Sequence, residues 1–598
     1  METEGLTTAD VLNALKPGNV IDRCFFRCMI PWLRLNKLNT IYGKIKNQPS
    51  PLFFPLALEK TGIDCLMHED ELNHIPPEGP FIIVANYPFG GIENLILLSQ
   101  ILSKRPDLKI LGDAFLHKFD PLKEHVIAMA ETSPVHLSNF MAFKEAIKHL
   151  EQGHPIAIFP ARHASFHPAK KMVADHAWEE ILLKMIRNVK VPVVPVFFDE
   201  PSPSKANFLS MIHPLLRVAI THHKLFRSEK MKIRIRIGFP ISVKEQDEFT
   251  RLEEYEKFLR SRIYILGTDS LSCRRQFRRK KHPKAASAPE PVIDPVPRDL
   301  LEKEIQKITP ACLLFESSNF HVFLAPPAEI PLTLKEIGRL REVTFREVGE
   351  GSNKSIDLDA YDNYYYHLFI WDTQARCVVG GYRIGKGKEI LERYGREGFY
   401  VHSLFKLKKR FEPFLKEGLE MGRSFIVREY QRKPASLFLL WKGILYALLR
   451  NPEYRYMFGP VSISNDFSDF SKTLIVEFIR RHHYHNEIAS YITPRTPFCP
   501  VKTTRVDKEF ILETVGNDIG KLDEYIKNIE NGRTIPVLIK KYLKLNAYIT
   551  GFNVDPDFNN CLDGFVLADI FDFPADVVRA FSKEFHDNTI LERFGYSL

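Results

Sequence analysis

The sequence predicts an α/β protein of two domains, and three observations predict it. The chain has 598 residues, more than one ordinary core holds. In its first half, short apolar runs alternate with helical spacings, the pattern of strands joined by crossover helices. Near the middle, residues 285–297 hold four prolines and little to bury, which reads as a linker. The apolar fraction of 44% and the charged fraction of 26% suit a globular chain. The expected divisions are an N-terminal amphipathic segment at 1–54, an α/β domain at 55–268, a basic, Pro/Ala-rich linker at 269–300 and a mixed α/β domain at 301–598.

In the first domain the strand-like runs are 81–85, 109–111, 155–159, 191–198 and 232–237. Apolar residues three and four apart predict helices over 95–103, 139–152 and 175–188. The second domain mixes strand-like runs (366–371, 378–384, 424–427, 457–463) with helices at 434–449 and 472–481, without an internal repeat. The helix at 434–449 is nearly all apolar, either core or the lining of an acyl-chain tunnel. The 45 phenylalanines and 21 tyrosines fit buried cores, and also apolar ligands.

The net charge of +9 is local. Residues 273–284, CRRQFRRKKHPK, carry seven Lys/Arg and no acid, leaving the rest near +2. That argues against nucleic acid as a partner. It leaves a solvated tether or a contact with anionic headgroups, at about 1 kcal/mol per nearby basic residue. A second interfacial candidate is 24–35, apolar with Trp32 inside and punctuated by Arg27 and Arg34, which could equally pack on the first domain. No run reaches the ~18 apolar residues that cross a bilayer. The first residues lack the basic-then-apolar order of a signal peptide. The expectation is a cytoplasmic protein held peripherally on the inner face of the membrane. Eight scattered cysteines read as free thiols, with no metal site.

Three landmarks occur in order in the first domain: NYPFGGIE at 86–93, FPARHAS at 159–165 and VPVVPVFF at 191–198. Together they resemble the glycerolipid acyltransferases that acylate lyso-lipids, over about residues 55–245. In that family a histidine of the first motif takes the hydroxyl proton and a carboxylate orients it. Here the two positions hold Tyr87 and Glu93. A phenol with a pKa near 10 is a poor base at neutral pH, and a neighbouring anion makes it poorer. The second motif implies headgroup binding by Phe159, Pro160, Arg162, His163 and Ser165, with Arg162 where the family has glycine and His163 as a displaced base.

The second domain orders Arg341, Asp359, Asp362, Arg383, Glu420 and Arg423 along its chain. The series resembles GNAT-type acyltransferases with acyl-carrier-protein donors, such as acyl-homoserine-lactone synthases and the N-acyltransferases of ornithine- and glycine-lipid synthesis, over about 310–500. The resemblance implies a polar cluster beside an acyl-donor cleft. Glu420 would accept a proton from the amine, and the arginines would bind an amino acid's carboxylate. Arg432 and Lys433 precede Pro434 at a helix start, suited to the donor's phosphate, and Ser462 ends a strand with a hydroxyl for substrate. If the segment 420–427 starts as helix and ends as strand, Glu420 and Arg423 both sit at its polar mouth. The alternative for the whole set is a structural salt-bridge network.

A lyso-lipid acyltransferase-like half joined to a GNAT-type half resembles the bifunctional ornithine-lipid synthases. The implied function is transfer of a (3-hydroxy)acyl chain from acyl-carrier protein or coenzyme A to an amino acid's amine, with O-acylation by the first half. No tightly bound cofactor is implied. Two alternatives are a lyso-lipid O-acyltransferase using Tyr87 and Glu93, and a non-enzymatic membrane adaptor.

Overall fold

The structure, a computed structural model, describes residues 35–89, 91–129, 139–161, 164–167, 172–175, 178–199, 231–268, 289–431, 433–502 and 506–596. Residues 24–34, the basic run at 273–284, Arg162, His163, Arg432 and the side chain of Ser165 lie outside them. The chain divides into two compact units: the first within Met1–Arg275, Lys502–Gly516 and Glu524–Arg533, the second within Gln276–Val501, Asn517–Asp523 and Thr534–Leu598.

The first unit is built on seven strands: β1 (Ile63–Leu66), β2 (Ile82–Ala85), β3 (Lys109–Asp113), β4 (Val126–Met129), β5 (Ile156–Ile158), and, beyond the separate ribbon β6 (Ala164–His167) and β7 (Met172–Asp175), β8 (Val193–Asp199) and β9 (Met231–Ile237). Their order is β1-β9-β8-β2-β5-β3-β4, and only β8–β9 pair antiparallel. A parallel strand covered on both faces reads as an unbroken apolar run, and β2 and β5 are buried at every residue. Helices Ile92–Ile101, Phe140–Glu151 and Glu180–Asn188 supply the crossovers. The last starts at Glu180, five residues later than its apolar spacing predicts, and Asp175 itself belongs to β7. Two segments from late in the chain complete this unit. Asn528 accepts from Phe239 N at 2.8 Å through Oδ1, and Tyr525 lies under the buried Arg262 guanidinium, 5.1 Å from ring centre. These residues belong to a stretch expected wholly within the second domain.

The second unit carries eight strands: β10 (Leu313–Ser317), β11 (Phe320–Ala325), β12 (Tyr366–Asp372), β13 (Cys377–Lys386), then, after the short β14 (Phe405–Leu407), β15 (Gly418–Ile426), β16 (Tyr456–Ile463), and, after β17 (Ile492–Pro494), β18 (Tyr548–Asp555) and β19 (Cys561–Asp569). Their order is β10-β11-β12-β13-β15-β16-β19-β18, while β14 and β17 pair separately. Every pair in the large sheet is antiparallel except β15–β16. The helix Pro434–Arg450 packs on β11, β12 and β13 with Leu440, Ile444 and Leu448 buried, which favours core for its apolar run.

Two local expectations are corrected. The segment around Glu420 is strand throughout, with no helical start, because it runs between β13 and β16 and carries Gly418 and Gly422, poor helix formers. The proline-rich stretch is no free tether from residue 289 on. Glu290 N and Ile293 N donate to Asn353 O and Ser355 O at 2.9 and 3.1 Å, Val296 N to Glu336 at 3.1 Å, and the helix Arg298–Cys312 follows at once. Prolines hold the backbone extended, so the amides between them are free to bond sideways.

The parallel pair positions the site. Its register runs only from Gly418–Tyr456 to Glu420–Phe458. Beyond that point β15 pairs with β13 and β16 with β19, so among the described residues the facing edges of β15 and β16 carry no further ladder. The wedge this leaves is one of pairing, and at its start Gly459 passes so close that a Cβ would lie 2.0 Å from the Met421 carbonyl oxygen. Gly459→Ala must push the strands apart there and is expected to destabilise the protein by about 1–3 kcal/mol, read from denaturant unfolding.

Candidate functional site

Three acids reach the site from one short segment. Asp359 caps the turn Ala360–Asn363, accepting from Tyr361 N at 2.9 Å, while Asp362 accepts from Asp359 N at 2.8 Å. This capping box presents Asp357, Asp359 and Asp362 to three arginines. Arg341, on the helix Pro331–Glu347, donates from Nε to Asp357 and from Nη1 to Asp362, both at 2.8 Å. Arg383 of β13 bonds Asp359 at 2.6 Å and lies 3.2 Å from Asp362. Arg423 of β15 stands 3.4 Å from both Asp357 and Asp359. It sits where the β13–β15 register shifts, with φ of +51°, a bulge that turns its side chain toward the acids.

Arg341 and Arg383 are each 1% exposed. Although burial acts the other way, Arg341 with Arg423 holds Asp357, and Arg341 with Arg383 holds Asp362, below the usual carboxylate range. Three guanidinium groups meet three carboxylates, so the cluster is balanced. Donors remain unused: Nη2 of Arg341 and Nη2 of Arg383 are buried with no hydrogen-bond partner, and Nε of Arg423 has only its 3.4 Å ion pair with Asp357. An incoming carboxylate would find unspent N–H groups here.

Glu420 lies outside that balance. It is 1% exposed, accepts from Val401 N at 2.7 Å and Tyr400 N at 3.2 Å, and holds the Tyr365 hydroxyl. Burial pushes its carboxyl up to about 7, against the pull of those donors and of Arg383. Tyr400 joins both groups: its ring lies under Arg383 and Arg423, at 5.2 and 4.9 Å, and its hydroxyl accepts from Arg423 at 3.3 Å. Tyr365, Tyr400 and Asp357 were not among the residues expected in the site. The tyrosines at 361, 364, 365 and 366 beside the acids were a visible signal for Tyr365, but Tyr400 had none.

Ser462 bonds none of the three arginines directly, though the Asp563 carboxyl it meets acts on the Tyr400 hydroxyl. On β16 Ser462 donates to Asp563 of β19 at 2.7 Å, and burial pushes that carboxyl up to about 7. Lys433 is exposed ahead of the helix Pro434–Arg450, its ammonium 4.2 Å from the centre of the Tyr430 ring.

In the first unit the landmark loops leave the carboxyl ends of β2 and β5, neighbours in the sheet. Tyr87 and Phe159 meet there, ring centres 5.1 Å apart, and Pro160 is buried beside them, its carbonyl accepting from Glu179 N at 3.2 Å. Asn86 clamps β2 to β8 by exchanging bonds with Phe198 N and O at 2.8 and 2.9 Å. Glu93, fully buried, accepts from the amides of Phe89 and Gly91, the latter at 2.9 Å. Its carboxylate thus braces the loop whose Gly91 has φ of +120°.

Because burial raises the Glu420 pKa, its contribution to stability is present in full below the ordinary carboxylate value near 4.5 and is lost as pH rises to about 7. The stability of the wild type relative to Glu420→Gln should therefore fall between pH 4.5 and 7 and level off above, measured by denaturant unfolding at each pH.

Comparison with known proteins agrees with this layout. A family model described as "Acyltransferase" matches residues 27–273, and one described as "Acetyltransferase (GNAT) domain" matches 340–442. Glycine N(alpha)-acyltransferase of Phocaeicola vulgatus is 30% identical over 280 residues, covering 44% of this chain and 83% of that protein. Glycine N(alpha)-acyltransferase of Bacteroides thetaiotaomicron is 29% identical over 278 residues, covering 44% and 80%. Among solved structures, the 1-acyl-sn-glycerophosphate acyltransferase PlsC of Thermotoga maritima aligns at 16% identity and a TM-score of 0.25, over 43% of this chain and 84% of that one. The acyl-homoserine-lactone synthase LasI aligns at 17% identity and 0.18, over 24% and 72%. No helix among the described residues is long and apolar enough to cross a membrane. The chain is an acyltransferase with an acyltransferase domain ahead of a GNAT domain, and it belongs to the family of the glycine N(alpha)-acyltransferases.

Proposed function

We propose that the second unit forms an amide between a (3-hydroxy)acyl chain, delivered as a thioester of acyl-carrier protein or coenzyme A, and the α-amine of an amino acid. The observation that carries this is the pairing of unspent guanidinium N–H groups with a separate, buried carboxyl near neutrality. The acceptor's carboxylate binds Arg383 and Arg423. Its ammonium gives one proton toward Glu420, the free amine attacks the thioester carbonyl, and the C–S bond breaks as the C–N bond forms. The second amine proton leaves with the thiolate, so a thiol and an amide result. The donor's chain enters the wedge between β15 and β16, with its phosphate toward Lys433 and the helix start at Pro434.

The relatives' names favour glycine as acceptor, while the two-domain layout resembles ornithine-lipid synthesis. The first unit would then esterify the 3-hydroxyl of the N-acyl product, with Glu93 bracing the loop that carries Tyr87. In this reading the basic run at 273–284 keeps the enzyme on an anionic membrane surface.

Purified full-length protein given 3-hydroxyacyl thioester and single amino acids should yield an N-acyl amino acid by mass spectrometry. Its kcat should rise with pH through about 7 as Glu420 ionises, and Glu420→Gln should lose the product. Absence of any N-acyl product from every amino acid would overturn the reading, and a diacylated product would report the first unit's step. Arg423→Lys keeps the charge but not the fork, and should raise the amino acid's KM roughly tenfold with a smaller change in kcat.

A further inference from the structure

A second polar site lies beside the one described, in a cleft of about 730 Å³ lined by Arg396, Glu397, His402, Lys406, Glu412 and Arg495. The volume is that of a small-molecule site. Its walls are fixed. Arg396 donates to Leu407 O at 2.7 Å and pairs with Glu412 at 3.3 Å, so those two charges are spent on one another. Arg495 holds the opposite wall, bonding His402 O from Nε at 2.9 Å and Leu404 O from its amide at 3.0 Å.

What remains is electropositive. Among the described residues no carboxylate lies within 4.0 Å of the Lys406 ammonium or the Arg495 guanidinium. Glu397 is the one acid of the lining not paired with a cation. In the same lining, His402 Nδ1 is buried without a hydrogen-bond partner. Burial first, then Arg495, keeps that imidazole below its usual pKa, against the pull of Glu397. Such an arrangement lacks only an oxyanion, which would pair with the cations and let Nδ1 take up a proton.

The cleft shares its wall with the catalytic cluster. The segment 394–402 lines the cleft with Tyr394 and His402, and gives the Tyr400 and Val401 amides to Glu420. Tyr364, two residues from Asp362, stacks on Tyr394 with centres 4.4 Å apart and donates to Gly398 O at 2.8 Å. An anion bound by Lys406, His402 and Arg495 would therefore steady the amides that hold Glu420.

We propose that this cleft is an oxyanion site for a phosphate group, distinct from the amino-acid site and built on the segment 394–402 that also gives its amides to Glu420. With the pantetheine phosphate placed toward Lys433 and Pro434, the phosphate here could come from the nucleotide end of coenzyme A or from a free phosphorylated molecule. The test is NMR titration of the histidines in the full-length protein, with the His402 signal assigned by His402→Asn. Inorganic phosphate should raise the His402 pKa by on the order of one unit. Lys406→Glu, at an exposed position that the fold tolerates, should abolish the rise. Coenzyme A acting at much lower concentration than phosphate, with pantetheine inert, would support the donor as source. Equal action of phosphate and coenzyme A would support a free anion. No movement of His402 with either, or a movement that survives Lys406→Glu, overturns the proposal. The readout is binding, so it is independent of which acceptor the enzyme acylates.

Discussion

The balance of three buried guanidinium groups against three carboxylates is the constraint on which the second unit depends. Taking an ion out of water costs several kcal/mol even after relaxation, and only close, hydrogen-bonded partners offset it. Asp357, Asp359 and Asp362 therefore cannot be displaced singly. Each bonds an arginine from a different element, so the network ties the helix Pro331–Glu347, β13 and the bulge of β15 to one another. An apolar core of the same volume could be equally stable. What an apolar core would lack is the set of N–H groups that the three acids leave unspent.

Glu420 draws its character from exclusion. With the six charges closed among themselves, the seventh ionisable group has no cation of its own and is shut from water. Backbone amides and a phenol satisfy its oxygens without neutralising it. Burial then keeps the proton on it near neutral pH, where a proton acceptor for an amine is most useful. The first unit uses a buried glutamate differently. Glu93 accepts from the Phe89 and Gly91 amides of its own loop and so supports that loop's conformation.

Much of this was legible from residues alone. Apolar runs revealed β2, β5 and β8, because strands covered on both faces need little else. The ordered acids and arginines of the second unit do converge, since charges of both signs set into apolar surroundings have few ways to be buried apart. Legibility failed where local signals compete or are lacking. Gly418 and Gly422 stood against a helix around Glu420, yet only the neighbouring strands decide that Gly418–Ile426 runs extended. The bulge at Arg423 depends on a register that no single strand encodes. Tyr400 sits twenty residues before Glu420, and Asp563 one hundred and one after Ser462, pairings made by sheet order rather than by spacing. Among the strands not expected, β10, β18 and β19 set polar residues among their apolar ones, which weakens the strand signal.

Residues 524–533 lie far along the chain yet belong to the unit begun by its start. Phe239 and Arg236 bond Asn528, so that early sheet has partners which do not exist until most of the polypeptide has been made. Emerging from the ribosome, the first unit must wait with those groups uncovered while several hundred residues follow. Its maturation is thereby coupled to synthesis of the second unit, and a nascent chain cut short leaves the early sheet without these partners.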